Sequence, residues 1–513
     1  MGIVVNKYAK SGFDNEITPY ELLTPRQMGE ADHMAAEING GDSFTLMENA
    51  SQAVADVILD NYRQCRKIAL LCGPGNNGGD GYMIAHILKK HGFEPQCFSL
   101  SEPRADSDAM KAFVLWGKTS SPIDEFVACD FDLIVDALYG AGLDRALDAA
   151  LQNKIIKISE SNVPVIAVDL PSGVFGRTGA IGGAAIRATK TVTFFRLKPG
   201  HVCYPGRAHC GEIILADIKI PDSVLQTIRP TYALNLPSLW SKSWPVLDYD
   251  THKYRRGHAV VFSGPQTSTG AARLAAQAAA RSGAGLVTVI SPKDALVVHE
   301  MHLTSIMLKE IGSDEETLAF LEQRKVRSVV LGPAFTEFER AFSLVKAILT
   351  KGKIFTLILD ADALTAVAQK KEEAFGFFKE SPVNVILTPH EGEFSRLFPD
   401  IAGKTHLTRI EKAEEAAAKS GATIVYKGAD TMIASANGRV AVNANGTPFL
   451  ATAGSGDVLS GIIGGLSAQQ MSHFEAACAG VWIHAQCGQI FGPGMIADDI
   501  ISGIPPVLGK IVM

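Results

Sequence analysis

The sequence lacks a cysteine pattern, an excess of positive charge and a long apolar run, and each absence excludes a class of protein. Its 513 residues include eight cysteines and no Cys-x-x-Cys pair, so we expect reduced, buried thiols rather than disulfides or a zinc site. The formal net charge of -6 gives no reason to expect nucleic acid or an anionic membrane as a partner. Uncharged apolar runs stay short of the roughly 18 residues that a membrane span needs.

The N-terminal segment, Met1 to Thr24, carries several charged side chains and has no long apolar core. We therefore expect no signal peptide and a cytoplasmic protein. The negative net charge does not exclude small anionic ligands, because backbone amides at helix N-termini bind anions without any need for a net positive charge. We also expect a homo-oligomer, since both halves of the chain predict sheet ends that could assemble.

Short apolar runs that end in Gly, Asp or Pro recur along the chain, and a helical pattern follows them, as is typical of βαβ units. The predicted strands of the first half are Ile68–Cys72, Leu133–Val135, Val165–Val168 and Val192–Phe195. Those of the second half are Ala259–Phe262, Leu286–Ile290, Val329–Leu331, Leu357–Leu359, Val385–Leu387 and Thr423–Tyr426, with a helix at Ala271–Arg281. Because the chain exceeds one ordinary core, the pattern predicts an α/β protein of two domains. Pro230–Pro245 has no clear period and predicts a linker on the surface.

A glycine-rich turn follows the strand Ile68–Cys72. Residues 73–81 read GPGNNGGDG, and the helical pattern of Tyr82–Leu88 comes next. This order gathers backbone N–H groups and the positive end of a helix dipole at one point, where a pyrophosphate could bind. We expect the glycines to let the backbone approach it closely and to adopt positive φ. The segment is neither a Walker A loop nor a GxGxxG fingerprint.

Two further predicted strands of the first half end in aspartate. Asp136 is followed by ALYGAGL, and Asp169 is followed by LPSG. Ligands of an open parallel sheet bind beyond the carboxyl ends of its strands. Either aspartate alone could be a helix N-cap or a turn former, but three such loops together favour a binding site. Asp169 is then the candidate acid or base.

The segments GPGNNGGDG, DALYGAGL and VDLPSG resemble the signature loops of the NAD(P)H-hydrate epimerase domain, over about residues 22–221. The resemblance implies a Rossmann-like three-layer sandwich, for which we predict the bounds 1–228. It implies that the hydrated nucleotide is bound by Asn76, Asn77, Gly78, Gly79, Asp80, Gly140, Ala141, Gly142, Leu143, Asp144, Arg145, Ala146 and Asp169. It also implies a potassium ion held by Asn77, Asp136 and Ser172, whose oxygen atoms suit a hard cation. Tyr139 and Ala141 depart from the DALLGTG pattern of the family.

A second glycine-rich segment, NGTPFLATAGSGD over residues 445–457, precedes a helical pattern that starts at Val458. The amides of Gly454, Ser455 and Gly456 would form an anion hole with the Asp457 carboxylate beside it. Kinases of small alcohols use this combination, because the amides stabilise the transferring phosphoryl group while the aspartate accepts the proton of the hydroxyl. An aspartate in a first helical turn is also favourable on dipole grounds alone.

The segments HKYRRGH, TGAA, RSGAGLVTV, DADAL, LTPHEGEF, KGADT and NGTPFLATAGSGD follow one another from about residue 252. They resemble the ADP-dependent NAD(P)H-hydrate dehydratase, which implies a ribokinase-like α/β domain, predicted over 229–513. The implied ADP site comprises Lys427, Gly428, Ala429, Asp430, Thr431, Thr447, Gly454, Ser455 and Gly456. The implied hydrate contacts are Ala271, Gly332, His390 and Asp457, with a magnesium ion on the ADP phosphates. Ala334 stands where the family usually has glycine.

The two resemblances together imply a bifunctional repair enzyme. Its first domain would interconvert the R and S forms of hydrated NAD(P)H. Its second would dehydrate the S form with ADP, releasing AMP and phosphate. Two other interpretations stay open: a kinase of a small hydroxylated metabolite with a fused nucleotide-binding domain, and a regulatory protein without catalysis. Asp169 and Asp457 count against the second of these.

Overall fold

The computed structural model describes residues 3–5, 20–117 and 119–512. The segment Met1 to Thr24, in which we expect no signal peptide, lies mostly outside these residues. The chain divides into two compact units, Met1–Thr231 and Tyr232–Met513.

The first unit alternates strands and helices. Its strands are β1 (Ile3–Val5), β2 (Glu21–Leu22), β3 (Lys67–Cys72), β4 (Glu94–Ser99), β5 (Ser121–Pro122), β6 (Leu133–Ala137), β7 (Val165–Val168), β8 (Lys190–Phe194) and β9 (Glu212–Ala216). Its helices are α1 (Pro25–Ile38), α2 (Phe44–Asn61), α3 (Asn76–Lys90), α4 (Asp108–Trp116), α5 (Ala149–Glu160), α6 (Pro199–Val202) and α7 (Val224–Ile228).

The sheet of the first unit is parallel and has the order β1-β9-β8-β7-β6-β3-β4-β5. The chain moves outward from β3 in one direction through β4 and β5, and in the other from β6 onward. The strand order therefore reverses between β3 and β6, and an open α/β sheet binds its ligands at such a point. Two apolar clusters cover its faces, one against α1 to α4 and one against α5.

The prediction of a long glycine-rich loop after β3 was wrong. Helix α3 begins at Asn76, so only residues 73–75 form a turn. The glycines of residues 73–81 have no positive φ, and those inside α3 serve close packing instead. A Cβ atom on Gly79 would lie 2.7 Å from Met47 Cε and 2.8 Å from Ala109 Cα. Strand β6 likewise runs through Asp136 rather than ending at it, which places that carboxylate in the interior.

The second unit has the same alternation. Its strands are β10 (Tyr232–Leu234), β11 (His258–Phe262), β12 (Leu286–Ser291), β13 (Met307–Glu310), β14 (Ser328–Leu331), β15 (Thr356–Leu359), β16 (Asn384–Leu387), β17 (Thr423–Tyr426), β18 (Met432–Ala434) and β19 (Val440–Val442). Its helices are α8 (Pro237–Trp240), α9 (Thr269–Arg281), α10 (Leu296–Glu300), α11 (Asp314–Gln323), α12 (Phe338–Lys351), α13 (Ala361–Gln369), α14 (Lys371–Glu380), α15 (Glu391–Leu397), α16 (Pro399–Ala402), α17 (Arg409–Ser420), α18 (Ser455–Ala468), α19 (His473–Phe491) and α20 (Ala497–Val512).

The strands of the second unit follow the order β13-β12-β11-β14-β15-β16-β17-β18-β19-β10. They are parallel from β13 to β17, and β18 is antiparallel to both of its neighbours. Here the order reverses between β11 and β14, whose following loops touch: a Cβ atom on Gly264 would lie 1.8 Å from the Ala334 carbonyl oxygen. The predicted α/β fold class with two layered domains is confirmed.

The segment predicted as a surface linker, Pro230–Pro245, belongs to the second unit from residue 232 onward. Its residues 232–234 form β10, which pairs in parallel with β19. Trp240 is fully buried and contacts the ring of Trp482 at a centroid distance of 5.9 Å. The sequence pattern failed because a three-residue strand and a four-residue helix are too short to show a period.

Close packing of small residues fixes helix α18 against α9. A Cβ atom on Gly461 would lie 2.2 Å from the Ala275 carbonyl oxygen, and one on Gly465 would lie 2.4 Å from that of Ala279. Helix α18 begins at Ser455, three residues before the predicted start, so Asp457 lies in its first turn. The packing therefore positions the GSGD segment.

All eight cysteines are free thiols, and Cys129 alone among them is exposed. Among the described residues, no helix combines the length and the apolar character needed to cross a bilayer.

Gly461→Val is expected to lower the free energy of unfolding of the second unit by about 1–3 kcal/mol, because the added side chain overpacks the contact with α9. Urea titration measures this change. In helix α14, an added Cβ on Gly376 would have no neighbour within 4 Å, so Gly376→Ala should raise the stability by up to about 1 kcal/mol. Equal effects of the two substitutions would contradict the packing argument.

Candidate active sites

A cavity of about 840 Å³ opens at the carboxyl edge of the first sheet, beside the point where the strand order reverses. Helix α3 directs its N-terminal amides toward this cavity, and the loops after β6 and β7 complete the wall. Its lining includes most of the residues expected to bind the hydrated nucleotide: Asn76, Asn77, Asp80, Gly140, Ala141, Gly142, Leu143, Asp144, Arg145 and Asp169. Gly78, Gly79 and Ala146 do not line it.

Asp169 lies in this wall with both carboxylate oxygens engaged. Its Oδ2 accepts a hydrogen bond from the Ala141 amide at 2.8 Å. Its Oδ1 accepts from Lys198 Nζ at 2.8 Å and from the Thr193 hydroxyl at 3.0 Å. Asp169 has φ of 63°, in the left-handed region that aspartate tolerates better than most residues. These hydrogen bonds hold the backbone of Asp169 in a strained conformation, and such strain is common at functional sites.

The Lys198 ammonium sets the charge of Asp169. Burial alone would raise the pKa of the Asp169 carboxyl, but Lys198 lowers it to about 2. His201 completes the cluster: its Nε2 lies 2.7 Å from the Asp169 carbonyl oxygen, and its Nδ1 accepts from the Lys198 amide at 3.0 Å. Burial lowers the pKa of His201 to about 4. The histidine is therefore neutral near pH 7, while Asp169 is ionised.

Asp136 and Ser172 form a second polar pair just below the cavity. The Ser172 hydroxyl donates to Asp136 Oδ1 at 2.6 Å, and the Ser172 amide donates to Oδ2 at 2.8 Å. Asp136 is fully buried, and burial raises the pKa of its carboxyl to about 6. No lysine or arginine among the described residues pairs with it. Asn77 lies nearby, where its amide can accept from the Gly140 N–H at 3.3 Å and donate to the Val168 carbonyl at 3.2 Å.

Asp32 and Asp80 line the same cavity. Burial raises the pKa of Asp32 to about 6, with Lys198 opposing the rise and Asp169 adding to it. The pKa of Asp80 rises well above its usual range, chiefly through burial. Three carboxyl groups of one cavity thus have pKa values that are pushed apart, which is typical of acid–base sites.

The second site forms around an ion pair between Lys427 and Asp360. Lys427 Nζ lies 3.0 Å from Asp360 Oδ1, and the Ser460 hydroxyl donates to Asp360 Oδ2 at 2.5 Å. Three loops meet here. A Cβ atom on Gly456 would lie 3.5 Å from Lys427 Nζ, and one on Gly332 would lie 1.8 Å from the Asp360 carbonyl oxygen. The structure therefore brings Gly332, Lys427 and the GSGD segment together.

Asp457 lies in the first turn of α18 beside this pair, and its side chain has no hydrogen bond or ion pair within the described residues. Burial and the neighbouring Asp360 raise the pKa of its carboxyl to about 6, although Lys427 opposes the rise. An ionised carboxylate with free oxygens at a helix N-terminus can accept a proton from a bound hydroxyl.

His390 takes the structural role that a strand-end histidine often has. It is the N-cap of α15, where its Nδ1 accepts from the amides of Gly392 and Glu393 at 3.0 and 3.4 Å. Its side chain is still 56% exposed, so the ring keeps a free face. Glu393 completes the capping box, because its carboxylate accepts a hydrogen bond from the His390 amide at 2.8 Å. The same carboxylate lies 3.9 Å from Lys427 Nζ.

Arg409 supports the KGADT loop, residues 427–431. Its guanidinium stacks on the Tyr426 ring at 3.9 Å and pairs with Asp430 at 3.1 Å. Asp430 is 3% exposed, so its carboxylate faces the protein interior, whereas Gly428 and Ala429 are exposed.

The remaining predicted ADP contacts lie before α18 and in its first turn. Thr447 begins a short 3-10 turn before the helix. Ser455 contacts a buried histidine: His484 Nε2 lies 3.0 Å from both the Ser455 hydroxyl and its carbonyl oxygen. Because a carbonyl oxygen only accepts, Nε2 carries the proton. Ala271 lies in the first turn of α9, and the neighbouring Leu274 reaches Gly454: a Cβ atom there would lie 2.7 Å from Leu274 Cδ1.

Comparisons with known proteins cover both units. A family model described as NAD(P)H-hydrate dehydratase matches residues 259–505, and one described as YjeF-related protein N-terminus matches residues 43–200. The bifunctional NAD(P)H-hydrate repair enzyme of Moorella thermoacetica is 35% identical over 519 residues, which are 95% of this chain and 96% of the relative. The chain belongs to the family of bifunctional NAD(P)H-hydrate repair enzymes.

The chain is similar to two further proteins. The repair enzyme of Thermofilum pendens is 35% identical over 490 residues, 92% of either chain. The crystal structure of the ADP/ATP-dependent NAD(P)H-hydrate dehydratase from Bacillus subtilis, co-crystallized with ATP/Mg2+, is 26% identical and covers 54% of this chain and 98% of its own, with a TM-score of 0.48. The family and the bifunctional repair function predicted from the motifs are confirmed.

Sequence reasoning missed several residues at both sites of this repair-enzyme family member. In the first unit these are Asp32, Thr193, Lys198 and His201; in the second they are Asp360, Glu393, Ser460 and His484. Asp360 and Glu393 stand inside quoted motifs, so their strand-end position was an available signal. Lys198 and Asp32 lie outside the three signature loops and carried no signal in the sequence.

Lys198→Met is expected to lower the free energy of unfolding of the first unit by about 3 kcal/mol at pH 7, because it leaves the Asp169 carboxylate without its cation. The Asp169 side chain is 18% exposed, so the expected loss of stability lies at the low end of the range for breaking a buried ion pair. Lys219→Met, which breaks an exposed pair with Asp217, should change it by less than about 1 kcal/mol. Similar losses for the two variants would contradict this interpretation.

The same pair gives the wild type a defined pH dependence. The folded pKa of Asp169, about 2, lies below the ordinary value of 3.8. Its stabilising contribution is therefore complete above about pH 4 and is lost as the pH falls toward 2. Denaturant titrations of wild type and Asp169→Asn across this range should converge at low pH. A difference between them that stays constant down to pH 2 would contradict the assigned pKa.

Proposed function

We propose that the first unit interconverts the R and S forms of hydrated NADH and NADPH, and that the second unit returns the S form to the reduced cofactor at the expense of ADP. The observation that carries the proposal is the unpartnered Asp457 carboxylate at the N-terminus of α18, beside the Lys427–Asp360 pair. It fits a group that activates a hydroxyl for phosphorylation. Family membership supplies the class of reaction.

In the first site, the N-terminal amides of α3 and the Arg145 side chain are suited to the phosphates of the nucleotide. The loop 140–145 and Asp169 face the same cavity and would enclose the ring. Asp169 is ionised and held by Lys198, so its role is to place negative charge beside the reacting carbon rather than to donate a proton. This assignment narrows the acid–base role expected from the sequence.

A potassium ion fits the residues expected to hold it. Asp136 is a buried carboxylate without a cationic side chain as partner in the described part of the chain, and the Ser172 hydroxyl oxygen lies 2.6 Å from it. The Asn77 amide, which contacts Gly140 in the loop after Asp136, would add a further neutral oxygen. Carboxylate, hydroxyl and amide oxygens suit a hard monovalent cation. When bound, the ion would balance the charge of Asp136 and order the loops that carry Asp169 and Gly140.

In the second site, Asp457 would accept the proton of the 6-hydroxyl as its oxygen attacks the terminal phosphorus of ADP. The new O–P bond forms while the bond to AMP breaks, and the amides of residues 454–456 stabilise the charge that develops. Phosphate then leaves C6 with the bonding electrons, a proton leaves C5, and the ring double bond returns. Lys427 is placed to attract the phosphates.

The residues present also fit magnesium bound through ADP. Among the described residues, no three His, Cys, Asp or Glu side chains gather closely enough to hold a metal by themselves. Magnesium usually takes one or two carboxylates and the phosphates of its nucleotide, and Glu393 and Asp457 are available. When bound, it would neutralise phosphate charge. The homo-oligomer expected from the sequence stays a prediction.

Separate variants should divide the two activities. Asp457→Asn is expected to lower the recovery of NADH absorbance from the S form with ADP by about 10²-fold or more, because the hydroxyl loses its base. Interconversion of the epimers, followed by chromatography without ADP, should continue. Asp169→Asn should do the reverse and leave only the S form repairable.

A matched control separates catalysis from the helix dipole. Glu315 is an exposed acidic residue in the first turn of α11, in the same unit as Asp457. Glu315→Gln removes a comparable charge from a helix N-terminus and should leave both activities unchanged. Loss of both activities in a folded Asp457→Asn protein would refute the assignment of one activity to each unit.

Potassium should stabilise the first unit through Asp136. At about 100 times its Kd the ion is expected to raise the free energy of unfolding by about 2.7 kcal/mol over tetramethylammonium at equal ionic strength. Asp136→Asn should abolish the difference, and Asp124→Asn, at an exposed position of the same unit, should keep it. An equal potassium effect in both variants would exclude this site.

A further inference from the structure

The carboxylate of Asp169 is poorly placed to exchange protons. Its two oxygens accept hydrogen bonds from the Ala141 amide, the Thr193 hydroxyl and the Lys198 ammonium. A proton added to either oxygen would break one of these bonds and leave a buried ammonium without its partner. Epimerisation at C6 still needs a group that gives and takes a proton, so another residue of the cavity must supply it.

Asp32 has the free oxygens that Asp169 lacks. It lies on α1, and its side chain forms no hydrogen bond or ion pair with the part of the chain that the structure describes. It lines both the main cavity of about 840 Å³ and an adjoining one of about 240 Å³. The adjoining cavity is lined by apolar side chains as well, among them Leu46 and Met47. Asp32 therefore stands where the two cavities meet, half-buried and open to a ligand.

Asp80 is the other carboxyl group that lines both cavities and has a raised pKa, and it is less suited to the task. Its side chain is 8% exposed, and its Oδ1 accepts a hydrogen bond from the Ser51 hydroxyl at 3.3 Å. It lies inside α3, where burial raises the pKa of its carboxyl well above the ordinary value. Such a carboxyl group can position a ligand by donating a hydrogen bond, but its enclosed and hydrogen-bonded oxygens are less free than those of Asp32 to exchange protons with a ligand.

We propose that Asp32 is the catalytic residue that exchanges the proton during epimerisation, an inference that rests on the epimerase function proposed for the first unit. Asp32 in its acid form donates its proton to the C6 hydroxyl of the hydrate. The C6–O bond breaks with its electron pair leaving on water, and the ring nitrogen shares its lone pair with C6. Water then adds to the opposite face of C6, and the proton that it releases returns to Asp32. No oxidant or further reactant is consumed.

The charges of the cavity support this cycle. Once Asp32 has given up its proton, its carboxylate adds to the negative charge that Asp169 places beside the cationic ring. Burial raises the pKa of Asp32 to about 6, so both of its forms are populated near neutrality. The other titratable groups that line the two cavities are His33, Asp80, Asp108, Tyr139, Asp144, Arg145, Asp169 and Lys198. Helix α7, which packs against α1, carries no charged residue.

The test compares Asp32→Asn, Asp32→Glu and Glu30→Gln in the full-length protein, with R-form hydrated NADH as substrate and no ADP. Glu30 is an exposed acidic residue two positions earlier on α1 that lines neither cavity. Asp32→Asn should lower kcat for R-to-S conversion by about 10²–10⁴-fold with KM changed only a few-fold. Asp32→Glu should recover part of the loss, and Glu30→Gln should match the wild type.

The pH profile separates a proton-exchanging role from a structural one. In the wild type, kcat should fall as the pH rises through the pKa of Asp32, near 6, because the protonated form that donates to the hydroxyl is depleted. Asp32→Asn should lose this limb while its circular dichroism and ADP-dependent repair of the S form stay unchanged.

Two failures are distinguishable. A wild-type protein that does not interconvert the epimers would refute the proposed function, and the role of Asp32 with it. Interconversion by the wild type with undiminished kcat in Asp32→Asn, or a loss confined to KM, would refute the role of Asp32 alone.

Discussion

In both units a lysine forms an ion pair with a buried or largely buried aspartate at the carboxyl edge of the sheet, and that pair fixes where negative charge lies in the site. Lys198 meets Asp169 at 2.8 Å, and Lys427 meets Asp360 at 3.0 Å. Burying either partner alone would cost several kcal/mol, so the loops that carry them are held together by the need to keep the charges paired. The pairs order their sites because their removal leaves an uncompensated charge.

Beside each pair stands a second aspartate without a partner in the described residues, Asp32 in one unit and Asp457 in the other. Burial raises the pKa of both to about 6. One carboxylate of each site is thus paired with a lysine, while the other can change its protonation near neutral pH. Two carboxyl groups that take different roles because of their surroundings are a general means of acid–base catalysis, and a lysine beside one of the two establishes this difference in both units.

The sheets place these groups through the same topological feature. In each unit the strand order reverses, between β3 and β6 and between β11 and β14, and an open α/β sheet binds its ligands beyond the strand ends at such a point. Helix N-termini then point into that space. In the second unit the position of α18 depends on glycines that allow backbone contact with α9. Close packing remote from the reacting atoms therefore determines where the phosphoryl group would lie.

The sequence by itself determined the fold class, the family and the loops that form each site, because buried parallel strands and glycine-rich helix starts are local patterns. It could not show that α3 begins at Asn76, since the glycines there serve contacts with Met47 and Ala109 that are distant in sequence. Nor could it assign charge among the aspartates. Protonation depends on burial and on which cation lies within a few ångströms, and only the folding of α1 and Lys198 against the signature loops decides that.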